Sequence, residues 1–214
     1  MADATSRAVP ATWALAIRRC LDVTGATLGL VLTAPLLVVL AVAVALTSRG
    51  PILFRQRRIG RDGVPFTMVK FRTMRTGRYE EVLNDPDLWA TYVAHDHKLP
   101  PHLAGFTPIG QLLRRLNLDE LPQLWNVVRG QMSLVGVRPI EASQLALRPA
   151  ASQQRYCAMR PGLTGLWQVE GRANTNSERR IALDDEYVAQ WRLRHDFALL
   201  LRTPGAILRM RHAV

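Results

Sequence analysis

Charged side chains are absent from one long stretch near the N-terminus, residues 23–48. A straight helix of this length reaches about 39 Å, against a bilayer hydrocarbon thickness of about 30 Å. Pro35 lies in the middle of the stretch and has no N–H to donate to the preceding helical turn. The pattern therefore predicts two half-helices, residues 23–33 and 36–48, that meet at a break at Pro35.

Arginines flank this stretch on both sides, which constrains how it meets a membrane. Because basic flanks stay in the cytoplasm, both ends are expected on that side. A re-entrant segment that dips into one leaflet and returns at Pro35 satisfies this, and a single transmembrane anchor is the alternative. A cleaved signal peptide fits less well, because the apolar run is too long and lies too far into the chain. The arginines are Arg7, Arg18 and Arg19 before the stretch, and Arg49, Arg55, Arg57, Arg58 and Arg61 after it.

Beyond residue 50 the hydrophobic pattern becomes that of a folded domain with short strands and helices. Residues 52–56 and 66–74 read as strands, and the alternation in the second places Lys70 and Arg72 on one face. Two cations on one strand face are a candidate phosphate clamp, and a solvated basic edge strand is the alternative. Helix starts, each a capping residue followed by proline, are predicted at Asp85-Pro86 and Thr107-Pro108.

The last part of the chain mixes apolar residues with arginines. Residues 178–193 are predicted to form a helix, and residues 194–214, broken at Pro204-Gly205, are typical of a segment on a membrane surface. The expected fold class is α+β, with a small mixed α/β catalytic domain and interfacial amphipathic helices. The predicted organisation is an N-terminal interfacial segment (1–20), a re-entrant membrane helix broken at Pro35 (21–48) and a cytoplasmic catalytic domain with a membrane-surface C-terminal segment (49–214).

Two carboxylates precede an apolar segment at residues 118–128. Pro122 is tolerated only in the first turn of a helix, so the helix is predicted to begin no earlier than about Asp119, with Asp119 at its N-cap and Glu120 in its first turn. The positive end of a helix stabilises ionised carboxylates, which suits a nucleophile or a metal ligand. Ordinary helix capping is the alternative for this segment taken alone.

Composition narrows the class of partner. The 214 residues carry a formal net charge of +11, which favours phosphate-bearing ligands: nucleic acid, nucleotides or anionic lipid headgroups. The apolar stretch shifts this choice towards lipid and nucleotide, and no nucleic acid is expected. Cys20 and Cys157 show neither metal-ligand spacing nor a disulfide framework, which indicates a reducing cytoplasm. Histidines 95, 97 and 102 match no zinc pattern, so a polar loop is the preferred interpretation.

Two glycine-punctuated segments end in an arginine. Residues 130–139 contain Arg138, and residues 161–172 end at Arg172. Glycines let backbone amides approach an anion closely, and the arginine offers a bidentate donor. Hairpins with exposed arginines are the alternative, and neither segment matches a P-loop or a dinucleotide fingerprint.

Taken in series, these stretches resemble the bacterial sugar transferase family, the monotopic polyprenyl-phosphate phosphoglycosyl transferases. Some pieces are weak individually, whereas the series is highly specific and covers residues 18–203. The motifs are Arg18-Arg-Cys-Leu-Asp22, Gly50-Pro51, Phe54-Arg-Gln-Arg57, Lys70-Phe-Arg-Thr-Met74, Leu118-Asp-Glu-Leu-Pro-Gln123, Met132-Ser-Leu-Val-Gly136, Arg138-Pro139, Pro161-Gly-Leu-Thr-Gly165, Gly171-Arg172, and Asp185 to Tyr187 followed by Trp191 and Asp196.

The resemblance implies transfer of a sugar 1-phosphate from a UDP-sugar to polyprenyl (undecaprenyl) phosphate, with release of UMP. This reaction is the expected first membrane step of a surface-glycan, exopolysaccharide or glycoconjugate pathway. The resemblance also implies Mg²⁺ as a cofactor and membrane lipid as a partner. The expected location is the cytoplasmic face of the bacterial inner membrane, in a monotopic arrangement.

The resemblance also implies roles for single residues. Asp119 is expected to attack the β-phosphorus, forming an aspartyl phosphoenzyme, and to ligate the metal. Glu120 is expected to assist by positioning or proton handling. The cations expected to neutralise the diphosphate are Lys70, Arg72, Arg138 and Arg172.

The sequence departs from the usual family pattern near several of these motifs. Two other hypotheses therefore stay open: a family member with weakened or repurposed activity, and a non-enzymatic membrane-anchored basic module that binds anionic lipid or nucleic acid. The departures are Ala34 before the hairpin proline, residues 103–107 in place of an Asp-Pro-Arg loop, Asn117 for a serine or threonine, Gln131 for an acidic residue, and Val137 for a proline.

Overall fold

The computed structural model of the protein describes residues 12–95, 97, 99–170 and 176–210. One helix, α1, is long and apolar enough to cross a membrane by length and composition. The helices are α1 (Thr12–Thr47), α2 (Arg78–Asn84), α3 (Pro86–Ala94), α4 (Pro101–Ala104), α5 (Pro108–Arg115), α6 (Gln123–Val128), α7 (Ala142–Ala146), α8 (Ala150–Cys157), α9 (Leu166–Glu170), α10 (Ser177–Ala189) and α11 (Leu193–Met210). The strands are β1 (Leu53–Ile59), β2 (Pro65–Phe71), β3 (Ser133–Val135) and β4 (Gly162–Thr164).

The strands form two small sheets. β1 and β2 make an antiparallel hairpin in which Leu53 faces Phe71 and Ile59 faces Pro65. The connecting turn uses the left-handed backbone conformation at Asp62 (φ 58°) and Gly63 (φ 74°), which aspartate and glycine tolerate best. β3 and β4 pair in parallel. Helices around two small sheets agree with the predicted α+β class.

Both predicted proline-led helix starts are confirmed. The Asp85 side chain accepts hydrogen bonds from the backbone N–H groups of Asp87 and Leu88 at 2.9 and 3.1 Å, and α3 begins at the next residue. The Thr107 hydroxyl likewise accepts from the Gly110 N–H at 3.0 Å at the start of α5. These starts were predictable because each cap is made within four residues.

The predicted breaks at prolines are absent. Helical backbone continues through Pro35 in α1 and through Pro204 in α11, so two separate half-helices at residues 23–48 and a broken C-terminal segment are both wrong. One proline removes a single backbone hydrogen bond, and the turns on either side persist. In the turn before Pro35, the Thr33 hydroxyl donates to the Gly29 carbonyl at 2.6 Å, a contact that commonly bends helices.

The two ends of α1 pack on the same domain. In its N-terminal half, Ala26 is buried against Phe66 and Leu124. Near its C-terminal end, Leu40 and Val44 are buried in a second cluster with Phe71 and Leu113. We call residues 12–26 the first arm and residues 40–47 the second arm. None of the α1 residues between the arms is buried.

Polar side chains lock the first arm to β3 and α11. The Asp22 carboxylate, 5 % exposed, accepts from the Ser133 hydroxyl at 2.7 Å and from the Leu134 N–H at 2.8 Å. Arg18 donates to the Val135 carbonyl and forms an ion pair with Asp196 at 3.1 Å. These partners lie more than a hundred residues away in sequence, so no local sequence pattern predicts the contacts.

Replacing Asp22 with alanine is expected to lower the stability of the fold by about 3 kcal/mol. The reason is that the Ser133 hydroxyl and the Leu134 N–H, both facing Asp22, lose their acceptor in a buried site. Thermal unfolding of the full chain in detergent measures the change. Thr24→Ala, at an exposed position on the same arm, is the control. Equal melting temperatures for Asp22→Ala and Thr24→Ala contradict the proposed anchor.

Candidate active site

The two candidate carboxylates lie in a 3₁₀ turn, Leu118–Glu120, between α5 and α6. Asn117 precedes the turn with a left-handed backbone (φ 55°), a conformation that asparagine tolerates. The α-helix begins only at Gln123, after Pro122, so the predicted place of Asp119 at an α-helical N-cap is wrong. The charges around Asp119 therefore come mainly from side chains rather than from a helix end.

Asp119 is a buried carboxylate, 6 % exposed. Burial raises the pKa of its carboxyl above the ordinary value, and the neighbouring charge of Glu120 raises it further. The cations Lys70, Arg114 and Arg138 act in the opposite direction and favour the ionised form. The structure thus brings predicted Lys70 and Arg138 to the dyad and adds Arg114.

Lys70 reaches the dyad from β2. It lies directly across the hairpin from Phe54, and its ammonium nitrogen is 5.2 Å from the centre of the Phe54 ring. Burial and the nearby charge of Arg114 lower the pKa of Lys70 to about 8, although Asp119 opposes the shift. A lysine near half-protonation at mildly alkaline pH is therefore part of the candidate site.

Asn126 connects the segment that carries the dyad to the strand that carries Lys70. Its side-chain amide donates to the Thr67 carbonyl at 2.7 Å and accepts from the Val69 N–H at 3.1 Å. The side chain therefore pairs with β2 as a backbone neighbour would, and it fixes α6 against this strand. Asn126 is 2 % exposed, and no local sequence pattern indicated its role.

Arg138 and Arg114 approach the dyad from two other elements. Arg138 follows β3, lies 3.5 Å from the Glu120 carboxylate and stacks on the Trp167 ring at 5.6 Å. Arg114, in the last turn of α5, stacks on Phe106 at 5.0 Å, and burial lowers its pKa from the ordinary value. Arg114 was not among the predicted site residues.

Arg72 makes hydrogen bonds at the end of α1. Its guanidinium donates to the Ser48 carbonyl at 2.7 Å and to the Arg49 carbonyl at 2.8 Å, so it caps the end of α1. Arg72 lies one residue beyond the end of β2, which stops at Phe71, and both Arg72 and Lys70 line a cavity beside the β1–β2 hairpin. A phosphate-binding role for Arg72 stays a prediction. Arg172, the fourth predicted cation, lies outside the described residues.

A second buried carboxylate, Glu141, holds the loop of Arg138 in place. It accepts hydrogen bonds from Gln56 at 2.7 Å, from Tyr92 at 2.8 Å and from Tyr79 at 3.2 Å. These donors come from β1, α3 and α2, so Glu141 joins three elements to the segment that carries Arg138. Nothing in the sequence pattern indicated this role.

The dyad offers the oxygen ligands that Mg²⁺ prefers. Magnesium is commonly held by one or two carboxylates together with substrate phosphates and water, and Asp119 with Glu120 fits that donor set. Within the described residues, no group of three or more His, Cys, Asp or Glu side chains is placed to hold a metal ion. A metal site made by the protein alone is therefore absent from this part of the chain.

The arrangement suits nucleophilic attack on phosphorus. A buried carboxylate, a partner carboxylate and cations from β2, α5 and the loop after β3 converge on one point. Phosphoryl transfer depends mainly on positioning and on cations that neutralise developing negative charge.

Comparison with known proteins identifies the family. The family described as "Bacterial sugar transferase" matches residues 13–210. The chain is 41% identical over 196 residues to the UDP-galactose-lipid carrier transferase of Erwinia amylovora, with 90% of this chain and 40% of that protein covered. It is 38% identical over 195 residues to the exopolysaccharide production protein ExoY of Rhizobium meliloti, covering 89% and 84%. It is 41% identical over 199 residues to the UDP-glucose:undecaprenyl-phosphate glucose-1-phosphate transferase of Caulobacter vibrioides, covering 89% and 69%.

The relatives differ in length from this chain. The chain spans less than half of the Erwinia protein and most of the Rhizobium protein. The matched region includes α1, the dyad and the described cations, and the family profile covers nearly the whole described chain. The chain therefore belongs to the bacterial sugar transferase family.

Proposed function

We propose that the protein transfers a sugar 1-phosphate from a UDP-sugar to polyprenyl phosphate and releases UMP. The observation that carries this proposal is the buried Asp119 beside Glu120 among Lys70, Arg114 and Arg138, in a member of this family. The name of the Caulobacter relative describes the same reaction class, with UDP-glucose as donor and undecaprenyl phosphate as acceptor. The reaction would serve as an early membrane step of surface-glycan synthesis.

In the proposed mechanism Asp119 is the nucleophile. Its carboxylate oxygen forms a bond to the β-phosphorus of the UDP-sugar, and the bond from this phosphorus to the bridging oxygen breaks, so UMP leaves with that oxygen. An oxygen of polyprenyl phosphate then attacks the same phosphorus and frees the carboxylate. The product is a polyprenyl-diphospho-sugar. Two displacements of this kind replace one difficult reaction between two anions.

The surrounding residues bind and orient the phosphates. Lys70 and Arg138 face the dyad and would neutralise phosphate oxygens, and Arg114 joins them in opposing the rise in the pKa of Asp119 that burial causes. Glu120, held 3.5 Å from Arg138, would position that arginine or handle a proton. Magnesium bound by Asp119 would supply further charge neutralisation on the diphosphate.

The membrane arrangement proposed for α1 is re-entrant, with a bend at Pro35. Its support is that both arms contact one domain while the middle, including Leu32 at 79 % exposure, leaves apolar side chains uncovered. Because both arms contact the same domain, both must lie on the membrane face where that domain lies. The proposed location is the cytoplasmic face of the bacterial inner membrane, in contact with membrane lipid.

Cysteine labelling in cells is expected to place residue 2, which precedes α1, and Thr47, the last residue of α1, on the same side of the membrane. Ala2→Cys and Thr47→Cys, in a background with Cys20 and Cys157 replaced by serine, should react only when the reagent reaches the cytoplasm. Leu32→Cys should resist water-soluble reagents, because lipid covers it. Labelling of positions 2 and 47 from opposite sides of the membrane rules out the re-entrant arrangement.

The activity is tested with the full chain in nanodiscs that contain polyprenyl phosphate. UDP-glucose, UDP-galactose and their N-acetylhexosamine counterparts are supplied with Mg²⁺, and release of UMP is measured together with the lipid-linked product. Both products are expected with at least one donor. Absence of both products with every donor contradicts the proposed activity and favours a non-catalytic membrane module.

A further inference from the structure

A cavity of about 220 Å³ opens beside Lys70, between the hairpin of β1 and β2 and the start of α2. Its walls combine apolar, aromatic and charged side chains. The proposed roles of Asp119 and Glu120 do not involve this cavity. The residues that line it include Leu53, Phe54, Arg55, Lys70, Tyr79 and Glu80.

The cavity borders the reacting centre through Lys70. Lys70 lines the cavity, and its charge acts on Asp119 and Glu120. In a UDP-sugar, the sugar ring is joined through one oxygen to the β-phosphorus, which is the atom that Asp119 would attack. The uridine is one phosphate further away. A space beside Lys70, one of the cations whose charge acts on Asp119, therefore suits the sugar ring better than the nucleoside.

The size of the cavity favours one ring. Sites that enclose whole drug-sized ligands commonly measure about 300–1,000 Å³. A volume of about 220 Å³ is too small for a whole nucleotide sugar and sufficient for a hexose. The remainder of the donor would lie along Lys70 and the dyad.

The wall chemistry matches a hydroxyl-rich ring with apolar faces. Phe54 and Tyr79 meet edge to face, with ring centres 5.5 Å apart, and give the cavity aromatic surface. Tyr79 is held there by its hydrogen bond to Glu141. Aromatic surface packs against the C–H face of a sugar, while ionised groups at the rim bind its hydroxyls.

Two charged side chains of the cavity are available to a ligand. Glu80 and Arg55 are both exposed, and neither makes an ion pair or a side-chain hydrogen bond with the described part of the chain. The next acidic residue, Glu81, is by contrast bound by Arg75 and by Arg78. A carboxylate accepts strong hydrogen bonds from hydroxyl groups, so Glu80 is suited to distinguishing sugars by the positions of their hydroxyl groups.

We propose that this cavity binds the sugar ring of the donor, with Glu80 accepting hydrogen bonds from its hydroxyls, and that it determines which UDP-sugar the protein uses. The assignment rests on the proposed function. It adds the place at which one sugar is distinguished from another. Arg55, on the same wall, would donate to ring oxygens or hydroxyls.

The test measures binding without turnover. In the full chain carrying Asp119→Asn, isothermal titration in nanodiscs gives dissociation constants for UDP and for UDP-glucose, UDP-galactose, UDP-N-acetylglucosamine and UDP-N-acetylgalactosamine. Adding Glu80→Gln is expected to weaken the best of these UDP-sugars by about tenfold, the effect of losing a charged hydrogen-bond acceptor. The affinity for UDP should change by less than about twofold, because UDP has no sugar.

A matched control separates the cavity from general effects of charge. Glu186→Gln removes the same charge from an exposed position that does not line the cavity, and it should leave all five affinities unchanged. Because Glu80 is exposed, its variant should keep the parental melting temperature, which verifies that the protein is folded.

Any result other than a selective loss of UDP-sugar affinity overturns the assignment of the cavity to the sugar ring. Equal losses for UDP and UDP-sugars mean that the cavity holds the nucleotide, and unchanged affinities mean that Glu80 contacts no sugar. These results are independent of the activity assay, which uses UMP release by the unmodified chain. If the unmodified chain releases UMP but Glu80→Gln leaves the UDP-sugar affinities unchanged, the proposed function stands and the assignment of the cavity to the sugar is wrong.

Discussion

Asp119→Asn is expected to reduce UMP release by at least about 10³-fold, the scale of loss when a covalent nucleophile is removed. Asparagine has nearly the same shape as aspartate but cannot form the acyl phosphate. The loss should appear in kcat rather than in the affinity for the donor. Rapid chemical quenching with a UDP-sugar labelled in the β-phosphate should also show no labelled protein in the variant. The parent protein should accumulate the label before lipid is added.

The substitution also changes the charge balance of a buried site. Asp119 is 6 % exposed and faces three cations, so its neutralisation removes a favourable partner from each of them. A thermal melt of the variant therefore accompanies the assay, and Glu120→Gln serves as the matched comparison on the same turn. Glu120→Gln should retain measurable labelling. Wild-type activity in folded Asp119→Asn would falsify the covalent mechanism.

The second large effect concerns the charge of Lys70. Its pKa is lowered to about 8 by burial and by Arg114, so it is about nine-tenths protonated at pH 7 and about one-tenth protonated at pH 9. The ammonium form is the one that binds phosphate, so kcat/KM should fall as the pH rises through about 8. Lys70→Met should lower kcat/KM by about 10²-fold at pH 7, because the diphosphate loses a buried cation.

Lys70→Arg distinguishes charge from other causes of an alkaline decline. Arginine stays protonated over this range, so the fall in kcat/KM near pH 8 should disappear in the variant even if its activity at pH 7 is reduced. The pH profile is read from kcat/KM, which reports groups in the free enzyme. An unchanged alkaline limb in Lys70→Arg contradicts the assignment to Lys70.

Local features of the fold were predictable from sequence. The caps at Asp85 and Thr107 are made by side chains within one turn, so their sequence pattern contains the whole interaction. The continuity of α1 and α11 was not predicted, because a proline alone does not reveal whether the turns around it are supported. In α1 the buried contacts lie in the two arms on either side of Pro35, and they involve distant parts of the chain.

The site shows the same division. The resemblance identified Asp119, Glu120, Lys70 and Arg138 as candidates, and the structure brings these four into one electrostatic environment. The resemblance did not reveal Asn126, Arg114 or Glu141, because each of these residues acts through a partner on another element. Arg72 remains a predicted phosphate ligand, and its guanidinium also holds the end of α1, a contact that its place in the sequence did not indicate.

The sequence by itself determined that an uncharged stretch at residues 23–48, flanked by arginines, must lie in lipid or in a core, because charged groups are costly to bury and apolar ones are costly to expose. Through a motif series of one family, it also indicated four residues of the candidate site: Asp119, Glu120, Lys70 and Arg138. Only the tertiary structure decided that both arms of α1 are held by the same domain, through Asp22 and Arg18 at one arm and Leu40 and Val44 at the other. The reason is physical: these contacts join residues far apart in the chain, and their free energy exists only when the whole domain is folded.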